Sequence, residues 1–285
     1  MHSSNPVFAR SSGFNGRAPK QSQYGYPTYP GAGPSAGYGE PGYTDPSTWQ
    51  TGAPGGPAVA EERMTIDSVV IRTAMTLAVL VASAAATWFL LSPPEQNTTA
   101  TMTAWMVGAF GGLGLALVIS FKRVVSPALV LLYAVLEGVF VGAASMFFEA
   151  MWPGIVVSAV VGTFVAFVAT LAAYKFFNIT VTPKFRRVVT IAMFGFVGLV
   201  LLDFLLSFAG FDFGFNGFGT MGLIATVVGL VLGVLMLVLD FDFVERGVAA
   251  GLPERESWRA AFGLTVTLIW LYIEMLRLLA ILRGE

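Results

Sequence analysis

The stretch Ala261-Phe-Gly-Leu-Thr-Val-Thr-Leu-Ile-Trp-Leu-Tyr-Ile-Glu-Met-Leu-Arg-Leu-Leu-Ala280 carries only two charges, Glu274 and Arg277, in an otherwise apolar run. At about 1.5 Å per residue a helix of this length crosses a hydrocarbon core of about 30 Å. Working back towards the N-terminus, six more runs of the same kind appear. The spacing places spans at about 67–91, 101–121, 127–150, 154–176, 187–209, 219–240 and 258–282. Ser92-Pro93-Pro94 stops the first, and Lys122-Arg123 stops the second. A hydrophobic content of 55%, a charged content of 12% and a mean hydropathy of +0.73 fit a membrane protein, not a soluble domain. The expected fold is an all-α integral membrane protein: a seven-transmembrane-helix bundle (63–285) behind a disordered N-terminal tail (1–62).

The tail is rich in Gly, Pro, Ser and Tyr, as in Tyr24-Gly25-Tyr26-Pro27-Thr28-Tyr29-Pro30-Gly31. Such a composition buries too little apolar surface to offset its ordering entropy. It reads as a soluble tether of variable sequence; the alternative is a segment whose tyrosines bind a partner or are phosphorylated.

Composition also excludes several function classes. A net charge of −1 without a basic stripe gives no sign of nucleic acid. With no cysteine, thiolate nucleophiles and cysteine-held metals are ruled out, and the single histidine, His2, lies in the tail. Zinc-protease and phosphate-loop motifs are absent from the chain, and a serine-hydrolase motif is absent from the spans, so neither enzyme activity nor a cofactor is expected.

Charge distribution sets the orientation. Lys122, Arg123, Lys175, Lys184, Arg186, Arg187, Arg246, Arg255 and Arg259 cluster at alternate loops. The intervening loops, 92–100, 150–154 and 210–218, have no Lys or Arg. Basic loops stay in the cytoplasm, which places the N-terminus inside and the C-terminus outside. Gly108, Gly111, Gly112 and Gly114 crowd the second span, and Gly138-x-x-x-Gly142 and Gly229-x-x-x-Gly233 invite close helix approach.

Ionisable groups inside spans cost a few kcal/mol each and so usually face a protein interior or a water-filled path. Glu137 lies about 15 Å into its span with no cation on its own helix, so it must be protonated, solvated or paired, with Arg277 as the candidate partner. Glu274 and Arg277, three apart, share one helix face. They form either a self-neutralising pair or part of a polar path. Asp240 and Asp242 close the sixth span with side chains about 200° apart, so they cannot serve one site. Both carboxylates could simply mark the membrane exit. Alternatively Asp240, the deeper one, could be latched by Lys122 or Arg123 as an inner gate, with Asp67 and Arg72 of the first span in the same polar neighbourhood.

The segment 261–280 resembles the last helix of the Bax inhibitor-1 (transmembrane Bax inhibitor motif) family. The opening Ser3-Ser4-Asn5-Pro6-Val7-Phe8 is similar to the tailed actinobacterial branch of that family. The resemblance implies seven helices with a central span surrounded by the others. It also implies a pH-sensitive calcium leak gated by two aspartates near the cytoplasmic side. Asp240 matches the first aspartate. The second belongs ten residues before Arg277, where this chain has Thr267, so the acidic pair is broken. The family's basic latch matches Lys122 or Arg123. The resemblance thus implies acid gating that is weakened, shifted, or moved to Glu137 and Glu274.

The expected function is a passive, pH-sensitive cation (calcium) leak channel. Glu137, Glu274 and Arg277 would line the ion path, and Asp240, Lys122, Arg123 and Thr267 would form the gate. Its partners would be the bilayer and calcium or protons. The alternative is a regulator without transport activity that binds membrane proteases or other membrane proteins through the tail.

Overall fold

A computed structural model describes residues 62–284, apart from Ser92 and Asp212. The tail reading therefore falls outside the described residues, except for Glu62. Seven helices follow one another: α1 (Ile66–Leu90), α2 (Thr98–Phe121), α3 (Pro127–Met151), α4 (Ile155–Phe176), α5 (Pro183–Ser207), α6 (Thr220–Ala249) and α7 (Glu256–Gly284). Each is long and apolar enough to cross a membrane, which makes the chain a multi-pass membrane protein. Among the described residues, extended pairing is limited to one antiparallel bridge between Arg63 and Pro253.

Local chemistry sets the helix starts. Thr65 and Ser68 form a reciprocal cap, each side-chain oxygen accepting from the other's backbone N–H at 3.0 Å. Asn97 accepts from Ala100 N at the start of α2. Thr182 accepts from Phe185 N, and Pro183 occupies the first turn of α5. That cap starts α5 at Pro183, before the first residue suggested by hydropathy, because the first turn carries Lys184, Arg186 and Arg187 and is polar yet helical.

α6 differs more from the sequence reading. It continues beyond Asp240 to Ala249, so Asp240 and Asp242 lie inside the helix and do not end it. Hydropathy falls at Asp240, but no helix breaker arrives until Gly251, in the left-handed region at φ 62°, and Pro253. The apolar span and the helix therefore end at different places.

α3, α6 and α7 are the inner helices, with half or more of their apolar windows buried. α7 packs on α1, α3, α4 and α6, while α2 rests on α3 and α5 on α6. The expectation of one span surrounded by all the others is thus met for four neighbours only. The outer helices present bulky apolar side chains outward, such as Phe110, Phe164 and Phe194, as a lipid-facing surface requires.

Glycines determine how close the inner contacts are. A Cβ on Gly108 would meet the Phe140 backbone, and one on Gly142 would lie 2.6 Å from Ala84 O. Gly138, Gly142, Gly229 and Gly233 all face a neighbouring helix, in line with the spacing read from the sequence.

Most of the basic residues collect at one end of the bundle, with Arg277 and Arg283 at the other. At the basic end the segment before α1 is stitched to the α6–α7 loop through Met64 N to Leu252 O and Glu254 N to Glu62 O, both 2.7 Å. Arg72 pairs with the Glu254 carboxylate and lies over the Trp258 ring, 5.5 Å from its centroid. The contact with Glu62, together with Arg72, holds the Glu254 carboxyl below the usual range. A side-chain hydrogen bond with Glu254, and Glu254's charge, push Glu62 up. Arg72 thus belongs to this junction, and Asp67 is exposed, so neither joins Asp240.

Candidate functional site

Three of the carboxylates within the helices are each seated against a glycine of the next helix. Glu137 on α3 faces Gly112 on α2, where any Cβ would overlap its Oε1. Glu274 on α7 faces Gly229 on α6, where a Cβ would come within 2.8 Å of its Cδ. Asp240 on α6 faces Gly263 on α7, whose Cβ position lies 3.3 Å from Oδ1. A missing side chain on one helix is thus the space that admits a polar side chain from its neighbour.

Asp240 accepts a hydrogen bond from Thr267 Oγ1 at 2.7 Å. It also lines a cavity of about 310 Å³ at the basic end, with Ser120, Phe243, Arg259, Phe262 and Gly263 among its walls. Lys122 and Arg123 do not supply the expected latch: both side chains are exposed. Their backbone carbonyls are used instead. Arg259 donates Nη2 to Arg123 O at 2.7 Å and to Lys122 O at 3.3 Å, so a cation caps the C-terminal end of α2. Arg259 also pairs with Glu256, one turn back.

Asp242 points the other way, as its angular offset from Asp240 requires. It is the more enclosed of the two, bonded to Arg186 at 2.5 Å and Arg246 at 2.8 Å. Asp240 is only half-buried. Of the pair first read as a membrane-exit marker, one carboxylate fastens α5 to α6 and the other faces the cavity.

Glu137 is 9% exposed, with the Tyr133 phenol one turn earlier as its polar neighbour. Arg277 is not its partner. α3 and α7 run side by side in parallel, fixed by the Tyr133–Phe262 ring contact at 5.0 Å and by Ser145 Oγ to Tyr272 OH at 2.7 Å. In that register Glu137 lies level with Thr265 and Val266, about 17 Å along α7 from Arg277. Arg277 is instead held at the opposite end, 3.5 Å from Glu274 and donating to Phe215 O at 2.7 Å. The same register puts Glu137 at the depth of Asp240 and Thr267. Glu274 lies about 16 Å from Asp240 along α6, too far to pair with it.

Asp203 on α5 was not singled out from the sequence, although an acid inside Leu201-Leu202-Asp203-Phe204 is a visible signal. It is 2% exposed and accepts from Phe213 N at 2.9 Å, Asn216 N at 3.0 Å and Asn216 Nδ2 at 2.8 Å. The loop between α5 and α6 is thus gripped by Asp203 from one side and by Arg277 from the other. Among the described residues, no three potential metal ligands gather to hold an ion.

A family model described as Bax inhibitor 1 like matches residues 5–284, nearly the whole chain. The chain belongs to the Bax inhibitor 1 like family. No curated protein matches it. In this Bax inhibitor 1 like protein, Asp240 and Thr267, the two positions that the sequence resemblance singles out, meet in space as a carboxylate and a hydroxyl. Replacing Thr267 with valine removes the only side-chain donor described for Asp240 and is expected to cost about 1–2 kcal/mol. Thermal melting of the detergent-solubilised protein checks this, with Thr267→Ser expected to keep most of the stability. A valine variant that melts with the wild type would show that the bond contributes nothing.

Proposed function

We propose that the chain is a passive cation leak of the plasma membrane, closed in the arrangement described here, with the basic end in the cytoplasm. The observation that carries this reading is the placement of Glu137. It is a carboxylate inside a membrane span, enclosed by α2 and α3, and no described residue pairs with it as a cation. A group so costly to insert has little structural reason to be there, since its neighbour Gly112 gives space and no charge. Carboxylate oxygens are suitable hard ligands for calcium, and a leak uses them weakly and in sequence.

The cavity at Asp240 is the inner vestibule, and Phe262 is one of its walls. The Phe262 ring is edge-on to Tyr133, and Tyr133 neighbours Glu137. An ion or proton entering at Asp240 therefore meets an aromatic pair before it reaches Glu137. Glu274, Arg277 and the α5–α6 loop close the outer end. Thr267 cannot titrate with Asp240, so any acid response rests on Asp240 with Glu137 and Glu274 instead of a coupled aspartate pair.

The test is calcium entry into liposomes that hold the purified full-length protein and a calcium-sensitive dye, from pH 8 to pH 5.5. Glu137→Gln and Asp240→Asn would be run beside the wild type. The expected result is flux that varies with pH and falls by roughly tenfold in Glu137→Gln, about 1.4 kcal/mol on the conduction barrier. Absence of flux at every pH, from protein shown to be folded, would sink the channel reading. It would favour a regulator that acts through contacts with other membrane proteins.

A further inference from the structure

A second polar feature lies on the outside of the bundle, away from the three carboxylates. At the basic end, α5 and α6 enclose a cavity of about 380 Å³ lined by Pro183, Arg186, Arg187, Thr190, Ile191 and Arg246. Arg186 and Arg246 are about half exposed, at 47% and 52%, and share one counter-charge, Asp242. Arg187 is exposed and pairs with no described acid. The three guanidiniums and one carboxylate leave a surplus of two positive charges at the cavity.

Asp242 does more than neutralise. It fixes Arg186 and Arg246 from the inside, and Arg246 also donates to Val181 O, so both guanidiniums are held in place while part of each faces outward. A planar donor set fixed in this way suits phosphate oxygens better than mobile lysines do.

The surface below the cavity changes character along a single helix face. Arg187, Ile191 and Phe194 follow at helical spacing on α5, and Ile191 and Phe194 are 64% and 75% exposed. The backbone of α5 lies against α6, with Phe196 reaching the Trp270 ring of α7, and the exposed Ile191 and Phe194 lie off those contacts, so their face borders lipid. Basic at the membrane edge and apolar towards its centre is the polarity order of a phospholipid. We propose that the cavity between α5 and α6 is a binding site for an anionic membrane phospholipid, with its phosphate on Arg186, Arg187 and Arg246 and an acyl chain along Ile191 and Phe194. The site is independent of ion conduction. It gives the loosely packed α5 a lipid contact where it lacks a protein one.

The test uses full-length protein in detergent, with phosphatidylglycerol and phosphatidylcholine of equal chain length offered together and retained lipid read by native mass spectrometry. The wild type is expected to keep phosphatidylglycerol in preference to phosphatidylcholine. Each arginine removed should reduce that preference about fivefold. Arg187→Gln breaks no ion pair among the described residues and is expected to leave the fold intact. Arg187→Gln with Arg246→Gln should bring the two lipids close to parity. Lys175→Gln, at the same end but outside the cavity, should change nothing. Three results would each overturn the proposal: no preference in the wild type, an unchanged preference in both arginine variants, or an equal loss in Lys175→Gln. Displacement of the lipid by millimolar inorganic phosphate would also overturn it, in favour of a site for free phosphate.

Discussion

Leucine at position 138 is expected to destabilise the bundle by about 3 kcal/mol or more, the upper range for overpacking in a fitted interior. A Cβ there would stand 2.5 Å from Leu80 O and 2.5 Å from Ser83 Cβ, both on α1. The first is a backbone atom and cannot rotate away, so the whole of α1 must shift. That shift would also break the bond from Ser83 Oγ to Val135 O, now 2.7 Å. Thermal melting with size-exclusion profiles in detergent measures the effect. Gly195→Ala is the control: nothing lies within 4 Å of its added Cβ, and the expected change is within about 0.5 kcal/mol. Equal melting of the Gly138→Leu protein and the wild type would mean that α1 and α3 do not approach as described.

Removing the Asp203 carboxylate should release the loop between α5 and α6. Alanine there deprives Phe213 N, Asn216 N and Asn216 Nδ2 of one shared acceptor. Unmet buried donors cost about 1–3 kcal/mol each, and water entering at the membrane edge would recover part, leaving a net loss of about 2–3 kcal/mol. Amide exchange over 210–219 should then speed up by roughly thirtyfold or more, since 1.4 kcal/mol is tenfold. Asp203→Asn keeps a carbonyl acceptor and should fall between the two. Unchanged exchange in the alanine variant would show that Arg277, through Phe215 O, holds the loop alone. Because Arg277 also contacts Glu274, a freed loop should loosen the outer end of the proposed path as well.

The number of helices and their order could be read from the sequence because hydrophobic length is a local property. The caps at Thr65 and Thr182 were equally local, and Thr182-Pro183 could have corrected the start of α5. Gly138-x-x-x-Gly142 and Gly229-x-x-x-Gly233 announced close approach, and the structure gave them α1 and α7 as partners. Asp240 and Asp242 were correctly separated by helix geometry, yet their membrane-exit position did not predict that α6 would run on to Ala249.

Partners were a different matter. Nothing in the spacing of Arg277 and Glu137 reveals that they sit about 17 Å apart along the bundle. The parallel register of α3 and α7 decides that, and the register is set by Tyr133 against Phe262 and by Ser145 with Tyr272. Likewise the sequence offered Lys122 and Arg123 as latches for Asp240, whereas the fold turns them outward and brings up Arg259 to hold their carbonyls. By itself the sequence determined seven spans and one mainly basic end, and it marked Glu137, Asp240 and Glu274 as costly to bury while Asp203 was passed over. Tertiary structure alone decided which glycine receives each acid, because that depends on the fit of two helix surfaces and not on any property of one helix.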